Sequence, residues 1–318
     1  ADLDAVDALP GKRIRQGLDA FLSRRLHHNP INRARCNVAH HYDLSTELYD
    51  LFLDADRQYS CAYFATGNET LDEAQALKKR HIAAKLLLRP GLDVLDIGSG
   101  WGGLALELAQ QHQARVTGLS LSTEQIVAAR ASATQSGLSE QVAFKLRDYR
   151  QEKGQNDRVV SVGMFEHVGQ KNYRTYFRVL RSLLAEGGIF LLHTIGAGDS
   201  HYAYDRWTQK YIFPNSVLPL PRGIVNNCDG LFIIEDWHNI GADYDPTLMA
   251  WYRNFNDAWP ELKSRYSDRF KRMFDYYLLT SAGSFRARDN QLWQVVLSAG
   301  GIEGGYLADR WLTAGLNP

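Results

Sequence analysis

Cysteine is scarce in this chain of 318 residues: there are three, Cys36, Cys61 and Cys228. Their odd number, wide spacing and lack of a C-x-x-C pair argue against a disulfide framework and a zinc knuckle, and fit a reducing cytoplasm. Long apolar runs are missing too. The best stretches, Ile189 to Leu192 and Leu86 to Leu88, fall far short of the roughly 20 residues that a membrane span requires, so an integral membrane protein is not expected. Net charge is absent, because 36 basic residues balance 36 acidic ones. Without a global positive field, nucleic acid is not an expected partner, and any attraction to an anionic surface must come from local clusters. The first residues, with Asp2, Asp4 and Asp7, lack the basic-then-apolar order of a secretory signal. With 45% of residues hydrophobic and 23% charged, what remains is an ordinary globular chain, long enough for one large or two modest domains.

One segment departs from neutrality. Residues 12–35 carry Lys12, Arg13, Arg15, Arg24, Arg25, Arg33 and Arg35 against Asp19 alone, while Ile14, Leu18, Phe21, Leu22 and Leu26 recur at helical spacing. This reads as a short amphipathic helix with a basic face, ended by Pro30. It either packs on the main domain with its charges in water or touches a membrane surface.

From about Leu77 the pattern alternates. Short runs rich in Val, Leu and Ile at 92–97, 114–119, 142–146, 158–164 and 188–195 are mostly separated by helical stretches, and candidates at 232–235 and 292–297 bring the strands to seven. The expected fold is α/β, a doubly wound and mostly parallel seven-stranded sheet with its ligands outside the carboxyl ends of the strands. The connection 197–231 is too long for a simple loop, and long loops of that kind are usually functional or disordered. Residues 246–288 read as helices dense in Trp, Tyr, Phe and Met, interrupted at Pro260.

Chemistry concentrates at strand ends. The run Val94-Leu95-Asp96-Ile97-Gly98-Ser99-Gly100-Trp101-Gly102-Gly103 is a buried strand entering a glycine turn and a helix, where a ligand can approach the backbone closely. Its G-x-G-x-G spacing, preceded by an acid in the strand, resembles the first motif of doubly wound S-adenosylmethionine (SAM) methyltransferases. At the second strand end, Ser120-Leu121-Ser122-Thr123-Glu124-Gln125 puts hydroxyls and an amide where ribose-binding folds usually carry an acid, and Ser122 or Thr123 also suits a helix N-cap. Asp148 offers an acceptor for an adenine amino group, and Tyr149 a ring to stack on it. Glu166 and His167 follow the fourth strand, and His193 ends the fifth. A carboxylate and an imidazole there suit proton transfer or the holding of a small anion, although His193 among apolar neighbours equally suits a satisfied core histidine and His167 a helix cap.

Several segments together resemble the cyclopropane-fatty-acyl-phospholipid synthases and the related mycolic acid cyclopropane synthases. They are His41-Tyr42-Asp43-Leu44, Tyr59-Ser60-Cys61-Ala62-Tyr63-Phe64, the glycine turn, Met164-Phe165-Glu166-His167-Val168-Gly169, Leu192-His193-Thr194-Ile195-Gly196 and Leu248-Met249-Ala250-Trp251-Tyr252. The resemblance runs in order from about residue 37 to 310. Lys210-Tyr211-Ile212-Phe213-Pro214, Glu235-Asp236-Trp237-His238-Asn239 and Phe285-Arg286-Ala287-Arg288-Asp289 bring it closer to the bacterial phospholipid enzymes.

The resemblance implies a class I SAM methyltransferase domain over residues 37–318, with an α-helical lipid-site insertion at about 197–290 and residues 1–36 as a basic helical arm. It implies that Cys61, Glu166, His193, Ile195 and Tyr252 surround a bicarbonate ion, Ile195 through its backbone, and that Tyr59, Ser60, Gly98, Ser99, Gly100, Gly102, Ser120, Gln125, Asp148 and Tyr149 contact SAM. The implied reaction adds the SAM methyl carbon to a cis double bond of a phospholipid acyl chain, and bicarbonate takes the proton whose loss closes the ring. The alternative product is a methyl- or methylene-branched chain; a small-molecule methyltransferase and a lipid-binding protein without chemistry are more distant rivals. Glu166 either shares a proton with bicarbonate or is balanced by a cationic His193. The implied partner is unsaturated phospholipid, met in transient peripheral contact with the inner membrane face from the cytoplasm. There the arm and Lys263, Arg265, Arg269, Lys271 and Arg272 would face anionic head groups, unless this second cluster is a solvated helix face. A homodimer stays open. Ser281 stands where family members often carry Cys, so no thiol is required at that position.

Overall fold

Thr70 opens the first long helix with a reciprocal cap. Its side chain accepts from the Glu73 backbone, and the Glu73 carboxylate accepts from the Thr70 N–H at 2.8 Å. The computed structural model describes residues 46–198 and 206–307; the basic arm with Cys36, the His41–Leu44 segment and residues 199–205 lie outside the described residues. In chain order the regular elements are α1 (Thr46–Phe52), α2 (Leu71–Lys85), β1 (Asp93–Ile97), α3 (Gly103–His112), β2 (Arg115–Ser120), α4 (Thr123–Gln135), β3 (Val142–Leu146), β4 (Asn156–Val162), α5 (Tyr173–Leu183), β5 (Leu184–Ala197), α6 (Arg206–Tyr211), α7 (Pro221–Cys228), β6 (Ile233–Asn239), α8 (Tyr244–Leu262), α9 (Asp268–Arg286) and β7 (Asn290–Ser298).

The strands form one seven-stranded sheet in the order β3-β2-β1-β4-β5-β7-β6. The first five are parallel, and β7 lies antiparallel between β5 and β6. Strand order reverses between β1 and β4, which opens a crevice at their carboxyl ends. Separate apolar cores fill the sheet's two faces. One holds Phe165, Tyr176, Phe177, Phe190 and Trp293, and the other Ile82, Leu104, Val116, Phe144 and Leu191. A third, around Leu48, Phe52, Cys61, Trp251, Phe274 and Leu278, joins α1 to α8 and α9.

Two sequence expectations shift. Pro260 does not interrupt the aromatic helices: α8 runs through it to Leu262, and the break falls at residues 263–267. Proline removes one backbone donor, but burial of Trp251 and Phe255 before it and Leu262 after it outweighs that loss. The connection 197–231 is also less irregular than expected, since it contains α6 and α7.

Candidate active site

The chain leaves β1 through three glycines with positive φ, Gly98, Gly100 and Gly102. A Cβ at Gly102 would come within 2.6 Å of the Phe144 ring, so this glycine lets the start of α3 pack on the sheet. A Cβ at Gly100 would meet nothing within 4 Å, because that position faces open space. The space is a groove with two adjoining chambers that share Gly98, Gly100, Gln125, Val162 and Gly163. The larger, about 960 Å³ with its open mouth included, lies between Leu119, Ser120, Asp148, Tyr149 and Met164. The smaller, about 550 Å³, lies between Tyr59, Ser60, Asp96, Ser99 and Trp101.

The donor set changes along the groove. At the larger end, Ser122 is the N-cap of α4 and accepts from the Gln125 N–H, while the Ser120 hydroxyl donates to Gln125 Oε1 at 2.8 Å. The capping role therefore falls on Ser122, and Ser120 and Gln125 line the groove. Asp148 lines the larger chamber, as expected of an acceptor for adenine, and it also carries a cation. Both of its oxygens receive the Arg150 guanidinium, at 2.8 and 2.7 Å, and that cation lies 5.7 Å from the centre of the Tyr149 ring. Asp148 thus holds Arg150 against Tyr149.

At the smaller end, Lys78 of α2 is buried, 1% exposed, and donates to Ser60 Oγ at 2.8 Å and Gln58 Oε1 at 2.7 Å. Burial pulls its ammonium down to about 8 against the opposing charge of Asp54. Asp96, also 1% exposed, is pushed up to about 7 by burial despite Lys78, and its Oδ2 has no hydrogen-bond partner among the described residues. A buried acceptor left open calls for a donor from a ligand. A largely apolar chamber with the Tyr149 ring, joined to one lined by a carboxylate and hydroxyls with the Lys78 cation bonded behind Ser60, fits adenosine at one end and an amino acid at the other. These residues therefore suit SAM. The Lys78 signal was present in the sequence, because Ala74, Lys78, Ile82 and Lys85 share one helical face, yet a lysine on an apolar face reads as a solvated edge until burial is seen.

A second group of side chains lies at the ends of β4 and β5. Glu166, in the short turn Phe165–His167, accepts the Ile195 N–H on Oε1 at 2.6 Å. Its Oε2 is buried without a partner among the described residues, and burial pushes the carboxyl up to about 7 against the pull of its hydrogen bonds. His193 is on the same strand as Ile195, one residue removed, and its Nε2 is likewise buried and unpartnered. Burial, aided by the positive charges of Lys78 and Lys85, pushes His193 well below the usual imidazole range, so the ring is neutral rather than a counter-cation to Glu166. Cys61 is buried in the loop between α1 and α2, where its Sγ donates to the Ala62 carbonyl at 3.2 Å and burial, reinforced by Asp243, keeps the thiol protonated. The Ala62 N–H donates to Thr247 Oγ1 at 3.1 Å and so ties this loop to α8, the helix that carries Tyr252. Cys61, Ile195 and Tyr252 belong to the third apolar cluster with Tyr59 and Trp251. His167 lines the larger chamber, pushed down to about 4 by burial.

The family is decided by comparison. The mycolic acid cyclopropane synthetase family matches residues 30–295 of this chain. The chain belongs to that cyclopropane synthase family. It is 53% identical over 270 residues to the cyclopropane-fatty-acyl-phospholipid synthase of Escherichia coli (strain K12), covering 85% of this chain and 69% of that protein. It is 34% identical over 274 residues to a probable fatty acid methyltransferase of Pseudomonas putida, covering 81% of this chain and 68% of that protein. Among solved structures, mycolic acid cyclopropane synthase CmaA1 complexed with SAH and CTAB superposes with a TM-score of 0.79 at 29% identity, over 83% of this chain and 98% of that one. The sheet and flanking helices of this cyclopropane synthase family member are those of the class I SAM methyltransferases.

Proposed function

We propose that this chain is a cyclopropane-fatty-acyl-phospholipid synthase that uses SAM as methylene donor and bicarbonate as base. One observation carries the base: beside the Glu166–Ile195 hydrogen bond, Glu166 Oε2 and His193 Nε2 are both buried and unsatisfied among the described residues. A buried acceptor and a buried ring nitrogen on neighbouring backbone suit an anion that has both an O–H to give and an oxygen to accept.

SAM supplies a sulfonium methyl electrophilic enough for attack by an isolated alkene. The chain's own residues do the rest. Asp96, Ser60 and Lys78 orient the amino-acid end of the groove. Tyr59, Trp251 and Tyr277 exclude water from the alkene and turn aromatic faces toward the positive charge that develops on carbon, each contributing about 0.5 to 2 kcal/mol. The Tyr59 and Tyr277 hydroxyls bond each other at 2.9 Å, and the Tyr59 and Trp251 ring centres lie 5.1 Å apart, so these walls are fixed. Glu166, His193, Cys61, Tyr252 and the Ile195 backbone hold bicarbonate where it takes a proton from the transferred methyl as the third ring bond forms.

The helical region 197–290 serves as lipid site, and access is from a membrane face. Among the described residues no helix is long and apolar enough to cross a membrane, and the proposed contact is peripheral, from the cytoplasm. Arg269, Arg272, Tyr276 and Leu279 recur on one exposed side of α9, where the Trp207 ring of α6 packs on Tyr276 at 4.6 Å. Cations and aromatic rings on one face suit an anionic lipid interface. The expected five-residue cluster narrows here, because Arg265 pairs with Glu47 and Lys271 with Asp275.

The test is to incubate the protein with SAM and unsaturated phospholipid vesicles, with and without bicarbonate, and to identify the acyl product by mass spectrometry. A product one CH2 heavier without an alkene, dependent on bicarbonate, is expected. A product that keeps its double bond identifies a branching methyltransferase instead.

A further inference from the structure

Strands β5, β7 and β6 lie side by side, and their register puts three polar residues in one row: His193 opposite Gln294, and Gln294 opposite His238. His193 is 1% exposed and Gln294 is fully buried, and Gln294 sits between Trp293 and Val295 on β7. A buried amide in such a sheet is costly unless it has a polar task.

Gln294 Nε2 lies 3.2 Å from His193 Nδ1. An amide nitrogen can only donate, so Nδ1 must offer its lone pair, and the neutral ring then carries its single proton on Nε2. That nitrogen is the one left buried without a partner. The charged groups acting on the ring are Lys78 and Lys85 from α2, both of which disfavour a further positive charge. Glu166 reaches the same strand from the turn after β4. The reverse amide orientation would put Oε1 on an Nδ1–H and leave Nε2 a lone pair. Together with the open Glu166 Oε2, Nε2 would then make two acceptors, and the imidazole would have no donor to give an anion.

We propose that Gln294 is a positioning residue that fixes His193 in its Nε2–H form, so that the imidazole is a neutral hydrogen-bond donor to a small oxyanion and neither its base nor its counter-cation. The identification of that oxyanion as bicarbonate rests on the function proposed above; the tautomer does not.

The experiment uses the full chain labelled with nitrogen-15 at histidine. Long-range proton–nitrogen spectra at neutral pH are assigned by the signals lost in His193→Gln. Wild type is expected to show Nδ1 unprotonated and Nε2 protonated, and Gln294→Glu, which supplies an acceptor, to move a proton onto Nδ1. Gln294→Leu is expected to raise the bicarbonate KM roughly 10- to 100-fold while the SAM Kd stays within about twofold, a split that general loss of structure would not give. A wild-type His193 protonated on Nδ1 overturns the proposal, as does a bicarbonate KM unmoved by Gln294→Leu. Turnover independent of bicarbonate would remove that anion from the proposed function, and the wild-type spectrum would still decide the tautomer.

Discussion

Lys78 Nζ lies 2.8 Å from the Ser60 hydroxyl, so a buried cation from α2 holds the loop that lines one end of the groove and, through the next residue, Cys61. The ammonium also acts on Asp96 and His193, and links the groove electrostatically to the Glu166 group. Lys78→Met leaves Asp96 without that cation, and SAM affinity by calorimetry is expected to fall at least roughly tenfold. Breaking a buried charge network typically costs about 3 to 5 kcal/mol, so the melting temperature should fall as well.

Glu166→Gln separates binding from chemistry. The Ile195 N–H keeps an oxygen acceptor, so SAM affinity should change little, whereas turnover should drop by roughly 100- to 10,000-fold. A SAM Kd that rises in step with the loss of turnover would refute this division.

The same variant tests stability against pH. Asp96 and Glu166 are each pushed up to about 7 from ordinary values of 3.8 and 4.5. The folded state therefore keeps protons that the unfolded state has released, and stability falls as pH rises from about 4 to about 7, then levels off for these groups. Glu166→Gln removes its part of that decline and should be more stable than wild type near pH 8, by an amount on the order of 1 kcal/mol or more. Urea denaturation across this range measures the difference.

Arg269→Glu combined with Arg272→Glu should weaken binding to anionic vesicles by about tenfold per residue or more, since each basic charge near such a surface contributes about 1 kcal/mol. Wild-type binding by co-sedimentation should weaken with added salt. Salt-independent binding would remove the electrostatic component.

Ser281 is half-buried on α9. Ser281→Ala should leave turnover within about twofold, because no role is assigned to a side chain there.

The strands were legible because Val, Leu and Ile mark buried parallel β-structure without ambiguity. β6 was read short, at 232–235, because Asp236, His238 and Asn239 beyond it are polar; pairing with β7 and an ion pair between buried Lys85 and Asp236, 3.3 Å apart, carry it to Asn239. Spacing placed the groove, from Gly98 to Tyr149, at strand ends. It did not reveal that Arg150 occupies Asp148, because that contact is made by the next residues of the same turn. Cys61 and Tyr252 are nearly two hundred positions apart, so only a family resemblance suggested their association; the observed tie runs through the Ala62 N–H and Thr247. Lys78 and Gln294 escaped notice because nothing local separates a buried polar residue from an exposed one.

The position of β7 has a consequence for how the molecule assembles. It is the last strand made and is inserted between two earlier ones, so during synthesis β5 and β6 wait with unpaired backbone until residues 290–298 arrive. Non-local closure of this kind slows folding. Because β7 carries Gln294, the imidazole of His193 meets its partner only at that closing step, and a nascent chain stopped before it would hold the glycine turn while His193 still lacked that partner.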